Sequence, residues 1–187
     1  MTLFVGLCNP GHTYENNRHN VGFRVIDALA SALDAQDISK SSFFGTLLKS
    51  NDILLLKPTT YMNLSGKSVQ AVVNFYKIEI DDIVVIHDDI DIPFGALRFK
   101  KGGGDGGHNG LKSIDSLCSK EYNRVRIGVG KPQHSSEVAS YVLSDFDANE
   151  EQEIKTLLPH IQKACLEFKK SPLDTIRTHY TLKQKEE

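Results

Sequence analysis

The chain is predicted to fold as a single α/β domain: a twisted, mixed and partly parallel β-sheet flanked by helices. Three observations carry this. Short apolar runs alternate with longer amphipathic segments, the pattern of strands interleaved with helices in a layered fold. One run, Ile83 to His87, is β-branched and almost wholly apolar, as a central strand covered on both faces must be. Finally, 187 residues, 40% of them hydrophobic, suffice to close one sizeable core, and no repeat or low-complexity linker divides them.

The elements follow in order. Thr2 to Cys8 reads as a buried strand, and a helix from about Asn20 to Leu33 repeats Val21, Ile26, Leu29 and Leu33 at helical spacing. Phe43 to Lys49 and Asp52 to Lys57 are two strands around a turn at Ser50-Asn51. Ser65 to Lys77 is helical, with Val69, Val72, Val73 and Tyr76 on one side, and the central strand Ile83 to His87 comes next. Ala96 to Lys100 alternates, and a Gly-rich loop leads into a helix over Gly110 to Leu117. Arg124 to Gly130 alternates again, and helices over Asn149 to Lys170 and Pro172 to Tyr180 close the chain.

Composition narrows the function. No basic segment followed by a long apolar stretch opens the chain, and no window is apolar enough to span a membrane, so neither signal peptide nor membrane span is expected. Cys8, Cys118 and Cys165 are too widely spaced for a paired-cysteine metal pattern and point to free thiols in a reducing cytoplasm. The net charge of −2 hides a division. Arg98 to Lys131 holds eight basic residues against three acids, so that segment is +5 and the remainder −7. Such a segment is either solvated surface on alternating strands or a local face for a polyanion.

Polar groups gather where apolar strands end. The first strand runs into Asn9-Pro10-Gly11, the strand ending at Lys57 into "PTTYMN", and the central one into "HDDID". In open α/β sheets ligands bind beyond the carboxyl ends of the strands. If these strands are parallel neighbours, Asn9, His19, Tyr61, Asn63 and Asp88 share one rim, with "KKGGGDGGHNG" closing over them. The stretch "NPGHTYENNRHN" carries far more amide and imidazole groups than a connector needs.

Other chemistries lack their residues. There is no G-x-S-x-G elbow, no H-E-x-x-H and no cysteine cluster. His87, Asp88, Asp89 and Asp91 are metal-ligand types, but adjacent strand residues point to opposite faces. "GGGDGG" matches G-x-G-x-x-G in form, yet it follows a Lys/Arg-laden alternating strand, the wrong context for a dinucleotide. The remaining set is a histidine base, a carboxylate to orient it and Asn donors for an oxyanion, which suits water attack on an activated carbonyl such as an ester. Against this stands the ordinary use of polar loop residues as caps and turn formers.

The blocks "GLCNPGHTYENNRHNVGF", "PTTYMNLSGKSV", "HDDIDIPFG" and "GGGDGGHNGLKSI", in this order and spacing, resemble the bacterial-type peptidyl-tRNA hydrolases; "RVRIGVGKP" and the helical C-terminal region agree. The resemblance spans essentially the whole chain. It implies a monomeric cytoplasmic enzyme with no metal or cofactor, cleaving the ester between peptide and tRNA. It further implies that His19 activates water, Asp88 orients His19, and Asn9 hydrogen-bonds near the scissile ester. Asn63 and Asn109 would position peptide, water or the terminal nucleotide, Tyr14 and Tyr61 would line the tRNA-end pocket, and Lys100 and Arg126 would hold the tRNA 5′-phosphate. Cys8, Asn17 and Asp105 depart from the family pattern; Cys8 is expected to shift the Asn9 loop or open it to thiol reagents, and Asp105 to weaken phosphate contact at the Gly-rich loop. A non-catalytic RNA-binding protein on the same scaffold and a phosphate-binding enzyme using the Gly loop are the competing expectations.

Overall fold

A computed structural model describes residues 1–184. Its strands are β1 (Thr2–Gly6), β2 (Gln36–Asp37), β3 (Gly45–Ser50), β4 (Ile53–Pro58), β5 (Ile83–Asp89), β6 (Leu97–Lys101) and β7 (Asn123–Gly128). Its α-helices are α1 (Val21–Ala32), α2 (Ser65–Tyr76), α3 (Asn109–Leu117), α4 (Val138–Val142), α5 (Ala148–Glu167) and α6 (Leu173–Tyr180). The strands form one sheet in the order β2-β3-β4-β1-β5-β7-β6. The four central strands β4, β1, β5 and β7 are parallel, whereas β2, β3 and β6 add antiparallel edges.

Burial explains the strand sequences. Along β1, Phe4 packs in the cluster beneath α1, α5 and α6, while Leu3 and Val5 pack in the cluster beneath α2 and α3. A strand covered on both faces favours apolar side chains, and β1, β4 and β5 are apolar over most of their length, with Lys57, His87, Asp88 and Asp89 only at their carboxyl ends. At the edge, β6 puts Leu97 and Phe99 into the first cluster and leaves Arg98 and Lys100 on the other face.

Most predicted boundaries move by one to three residues, and a short strand and a short helix were not foreseen. The first strand stops at Gly6 instead of Cys8, and α1 begins at Val21 because Arg18–Asn20 forms a separate 3-10 turn. β2 is a two-residue exposed edge and α4 a five-residue helix, both too short to show a periodicity.

The start of α1 lies in backbone contact with the sheet. A Cβ on Gly6 would stand 2.4 Å from the Gly22 carbonyl oxygen, and one on Gly22 would stand 2.4 Å from that of Ile86. Only glycine permits this approach at either position. The turn just before α1 is therefore held over the ends of β1 and β5, where the polar residues collect.

Candidate active site

Chain order supplies the crevice. From β1 the chain crosses to β4 on one side, and after α2 it returns to β5 on the other. Such a switch point opens a cleft at the carboxyl ends of the strands. Asn9 follows β1, Met62 and Asn63 follow β4, and Asp88 lies at the end of β5.

His19 sits in the 3-10 turn Arg18–Asn20, buried, with Nδ1 2.9 and 3.0 Å from the two Asp88 carboxylate oxygens. A carboxylate only accepts, so Nδ1 carries the proton and the Nε2 lone pair is free. His108 also donates to Asp88, Nε2 to Oδ1 at 2.8 Å, while its Nδ1 accepts from the Gly110 N–H at 3.1 Å. That second bond fixes the tautomer of His108. The two rings lie 4.7 Å apart between centroids. His87, immediately before Asp88, donates from Nδ1 to the Asp88 carbonyl at 2.6 Å and faces His108 edge-on.

The charges follow from these contacts. Burial works against the His19 imidazolium, but the Asp88 charge and hydrogen bond outweigh it and raise the His19 pKa above its ordinary 6.5. Burial would raise Asp88, yet the two imidazoles and their hydrogen bonds hold it well below the usual carboxylate range. Burial and the neighbouring His108 pull His87 down, so it stays neutral.

On the other side of the His19 turn, Asn20 pairs with the backbone of Asn9 in both directions, accepting its N–H and donating to its C=O, each at 2.8 Å. The Asn9 side-chain oxygen accepts the Met62 N–H at 2.8 Å. Its oxygen thus occupied, the Asn9 carboxamide presents its NH2 as a donor. Cys8 beside it is fully buried, donates its thiol to the Pro58 carbonyl at 3.3 Å, and has its pKa pushed up by burial. The expected opening to thiol reagents is therefore not present; Cys8 ties the end of β4 to that of β1.

A cavity of about 560 Å³ adjoins the dyad, lined by His19, Asp88, Asn109, residues 105–107 and one side of α4. Of the predicted residues, His19, Asp88 and Asn109 share it, whereas Asn9, Tyr14, Tyr61 and Asn63 do not line it. Tyr61 and Asn63 are exposed beside Met62, and Tyr14 is half-buried in the loop after β1. Lys100 and Arg126 lie on the β6–β7 edge. Partial burial and the charges of Arg126 and Arg124 lower the Lys100 pKa, so the three cations cluster. Arg126 is not wholly free, since its Nε donates to Asp89 at 2.9 Å.

Arg124 is the unexpected member of this group. It is fully buried and donates to the Gly103 and Gly104 carbonyls at 2.9 and 2.7 Å, pinning the Gly-rich loop from beneath. Asp105 has a local use as well: its carboxylate accepts the Gly107 N–H at 2.7 Å and its carbonyl accepts the His108 N–H at 3.0 Å. The acid thus shapes the turn that delivers His108.

One atom each from His19, Asp88 and His108 lies within 4.8 Å of the others, close enough to chelate a divalent ion. Of the metal-ligand types noted in the sequence, His87, Asp88, Asp89 and Asp91, only Asp88 belongs to this group. As hydrogen-bonded here, both histidines direct N–H groups at Asp88, and a metal in that place would have to displace those protons. His108, next to Asn109 in the sequence, is drawn into the site by the structure. Its contact with Asp88 comes from the fold of the Gly-rich loop, and only its position in the "GHNG" block pointed that way.

An open α/β sheet with a buried His–Asp pair and carboxamide side chains at its switch point carries the groups that enzymes of the hydrolase class use. The comparisons narrow this class. The family described as peptidyl-tRNA hydrolase matches residues 3–187. A peptidyl-tRNA hydrolase of Sulfurovum sp. (strain NBC37-1) is 58% identical over 183 residues, 98% of this chain and 97% of that protein. One from Sulfurimonas denitrificans is 55% identical over 181 residues, 97% of each chain. The crystal structure of peptidyl-tRNA hydrolase from Acinetobacter baumannii superposes with a TM-score of 0.91 at 33% identity, covering 97% of this chain and 96% of that one. The chain belongs to the peptidyl-tRNA hydrolase family.

Proposed function

We propose that the chain hydrolyses the ester linking a peptide, or an N-blocked aminoacyl group, to the 3′ ribose of tRNA, acting in the cytoplasm as a monomer of one domain. The observation that carries this reading is the His19–Asp88 pair, with its Nδ1–H committed to Asp88 and its Nε2 free beside the cavity. Nε2 takes a proton from water, whose oxygen attacks the ester carbonyl carbon. The tetrahedral oxyanion is held by carboxamide N–H groups, for which Asn9, Asn63 and Asn109 are the candidates. Collapse expels the ribose oxygen, which recovers the proton from His19. His108 holds Asp88 in place, and neither a metal nor an organic cofactor enters the scheme. An RNA-binding protein without catalysis would have no use for a base with its orienting carboxylate. The cytoplasmic assignment rests on three free cysteines, and no helix among the described residues is long and apolar enough to cross a membrane.

Hydrolysis of a purified N-blocked aminoacyl-tRNA, compared with its unblocked counterpart in excess chelator, tests the proposal. Release from the blocked substrate is expected at the same rate with and without chelator. Loss on chelation would turn the His19–Asp88–His108 group into a metal site. No release under either condition would favour the RNA-binding reading.

Lys100 and Arg126 are proposed to hold the 5′-phosphate, with Tyr14 and Tyr61 at the tRNA end. Lys100→Ala is expected to weaken tRNA binding and to flatten its log–log salt dependence by about one unit. An unchanged slope would move the clamp to another cation.

A further inference from the structure

Arg18 is the residue of the crowded loop that the reaction leaves without a role. It precedes His19, its side chain is only 9% exposed, and a buried guanidinium must be paired. All its side-chain partners lie in residues 141–150, the stretch from the end of α4 into α5. Nη2 donates to Glu150 at 2.5 Å, and Nη1 to the Ser144 hydroxyl at 2.7 Å and to the Asp145 carbonyl at 2.5 Å. The guanidinium lies 4.5 Å from the Tyr141 ring centroid and 5.3 Å from that of Phe146. The main chain adds to this: the Arg18 N–H donates to the Ser144 carbonyl at 3.1 Å, and the Asn17 carboxamide donates to that of Leu143.

One of those partners, Tyr141, belongs to α4, and other residues of that helix reach the cavity. Val138, Ala139 and Val142 of α4 line the cavity together with Asp88 and His108, and Tyr141 is anchored beyond β7 by donating to the Val129 carbonyl at 2.6 Å. Asn20 fastens the other end of the His19 turn to Asn9. The turn that carries His19 is thus held between the Asn9 loop and the α4 wall.

We propose that Arg18 is a positioning residue that joins the His19 turn to the α4 wall, so that the group filling the cavity and the placement of the base are linked through one guanidinium. The inference rests on the reading of His19 as the base. A planar fork that binds a carboxylate, a hydroxyl and a carbonyl while lying against two rings is specific to arginine; lysine supplies the charge without the fork. A nearby pair separates this role from plain fastening. Arg24 of α1 binds Glu151 of α5 through two hydrogen bonds of 2.8 and 2.7 Å, clamping those two helices together through side chains that hydrogen-bond to neither the His19 turn nor α4.

The test compares Arg18→Met, Arg18→Lys and Arg24→Met. It measures kcat and KM on N-blocked aminoacyl-tRNA, the pH–rate profile, the melting temperature, and the His19 imidazole titration followed by NMR. Arg18→Met is expected to lower kcat by about 10- to 100-fold with KM little changed, since a small misplacement of a reacting group costs that much. Its His19 titration should move toward 6.5, the ordinary value. Arg18→Lys should not restore either property. Arg24→Met should lower the melting temperature while leaving kcat and the titration as in wild type. Wild-type kcat and an unmoved titration in folded Arg18→Met would overturn the inference. Should that variant not fold, Glu150→Gln, which leaves the Asp147 cap of α5 in place, takes over. A lowered kcat with a shifted titration would then support the joint, and wild-type values of both would overturn it. The titration needs no turnover. An inactive wild type would therefore defeat the proposed function, whereas an active wild type with an unaffected Arg18→Met would defeat only the role of Arg18.

Discussion

His19→Ala is expected to lower turnover by about 10²- to 10⁴-fold while tRNA binding survives, because it removes the proton acceptor and leaves the β6–β7 cations in place. Single-turnover hydrolysis and a filter-binding isotherm on the same variant separate the two effects; undiminished release would end the assignment of His19. The pH dependence sharpens the test. The base works only when neutral, and Asp88 raises the His19 pKa against the opposing effect of burial. Activity of the wild type should therefore rise with pH along a limb centred above 6.5, the ordinary imidazole value. Stability runs the other way. A group whose pKa is raised by folding stabilises fully below its unfolded value, and that contribution fades as pH rises through the folded value. His19→Ala should accordingly cost more melting temperature well below pH 6.5 than well above it.

How much of this was legible in the sequence depends on how far each feature reaches along the chain. β1, β4 and β5 could be read because burial on both faces leaves a continuous apolar run up to their polar carboxyl ends. The pairing of His19 with Asp88 bridges 69 positions, yet each lies in a block dense enough in polar residues to be noticed. The hydrogen bond from His108 to Asp88 depends on the loop between β6 and α3 curling back over β5, which no local pattern records. Charge counting treated Arg124 as part of a basic face, but the guanidinium is fully buried beneath Gly103 and Gly104. The outward positive charge of that segment is smaller than its composition suggests, and Arg126 is partly offset by Asp89. Arg18 finds its hydrogen-bond partners 126 to 132 residues downstream, beyond an α4 too short to be predicted, so neither half of that joint was visible alone.

Asp88→Asn is the second large effect, and its cause differs from loss of the base. One Asp88 oxygen accepts from both His19 Nδ1 and His108 Nε2, at 2.9 and 2.8 Å, and the other lies 3.0 Å from His19 Nδ1. His108 cannot change tautomer without giving up the Gly110 N–H, so an asparagine must turn its oxygen toward His108. Its NH2 then replaces the oxygen 3.0 Å from His19 Nδ1, beside the shared oxygen at 2.9 Å. The neutral shared oxygen accepts less strongly from two imidazoles than a carboxylate does, and moving the His19 proton to Nε2 relieves the donor–donor approach, leaving the lone pair pointed at the carboxamide instead of at water. The expected loss of turnover is about 10⁴-fold, the scale of a histidine base held in the wrong tautomer. Removing the carboxylate also removes what raised the His19 pKa, so burial dominates and the residual activity should show its limb at lower pH than wild type. His19→Ala abolishes that limb and Asp88→Asn displaces it, so the two profiles together distinguish the base from the group that orients it. A limb unmoved in Asp88→Asn would assign the pH dependence to another group, with His108, the other imidazole on Asp88, the next to substitute.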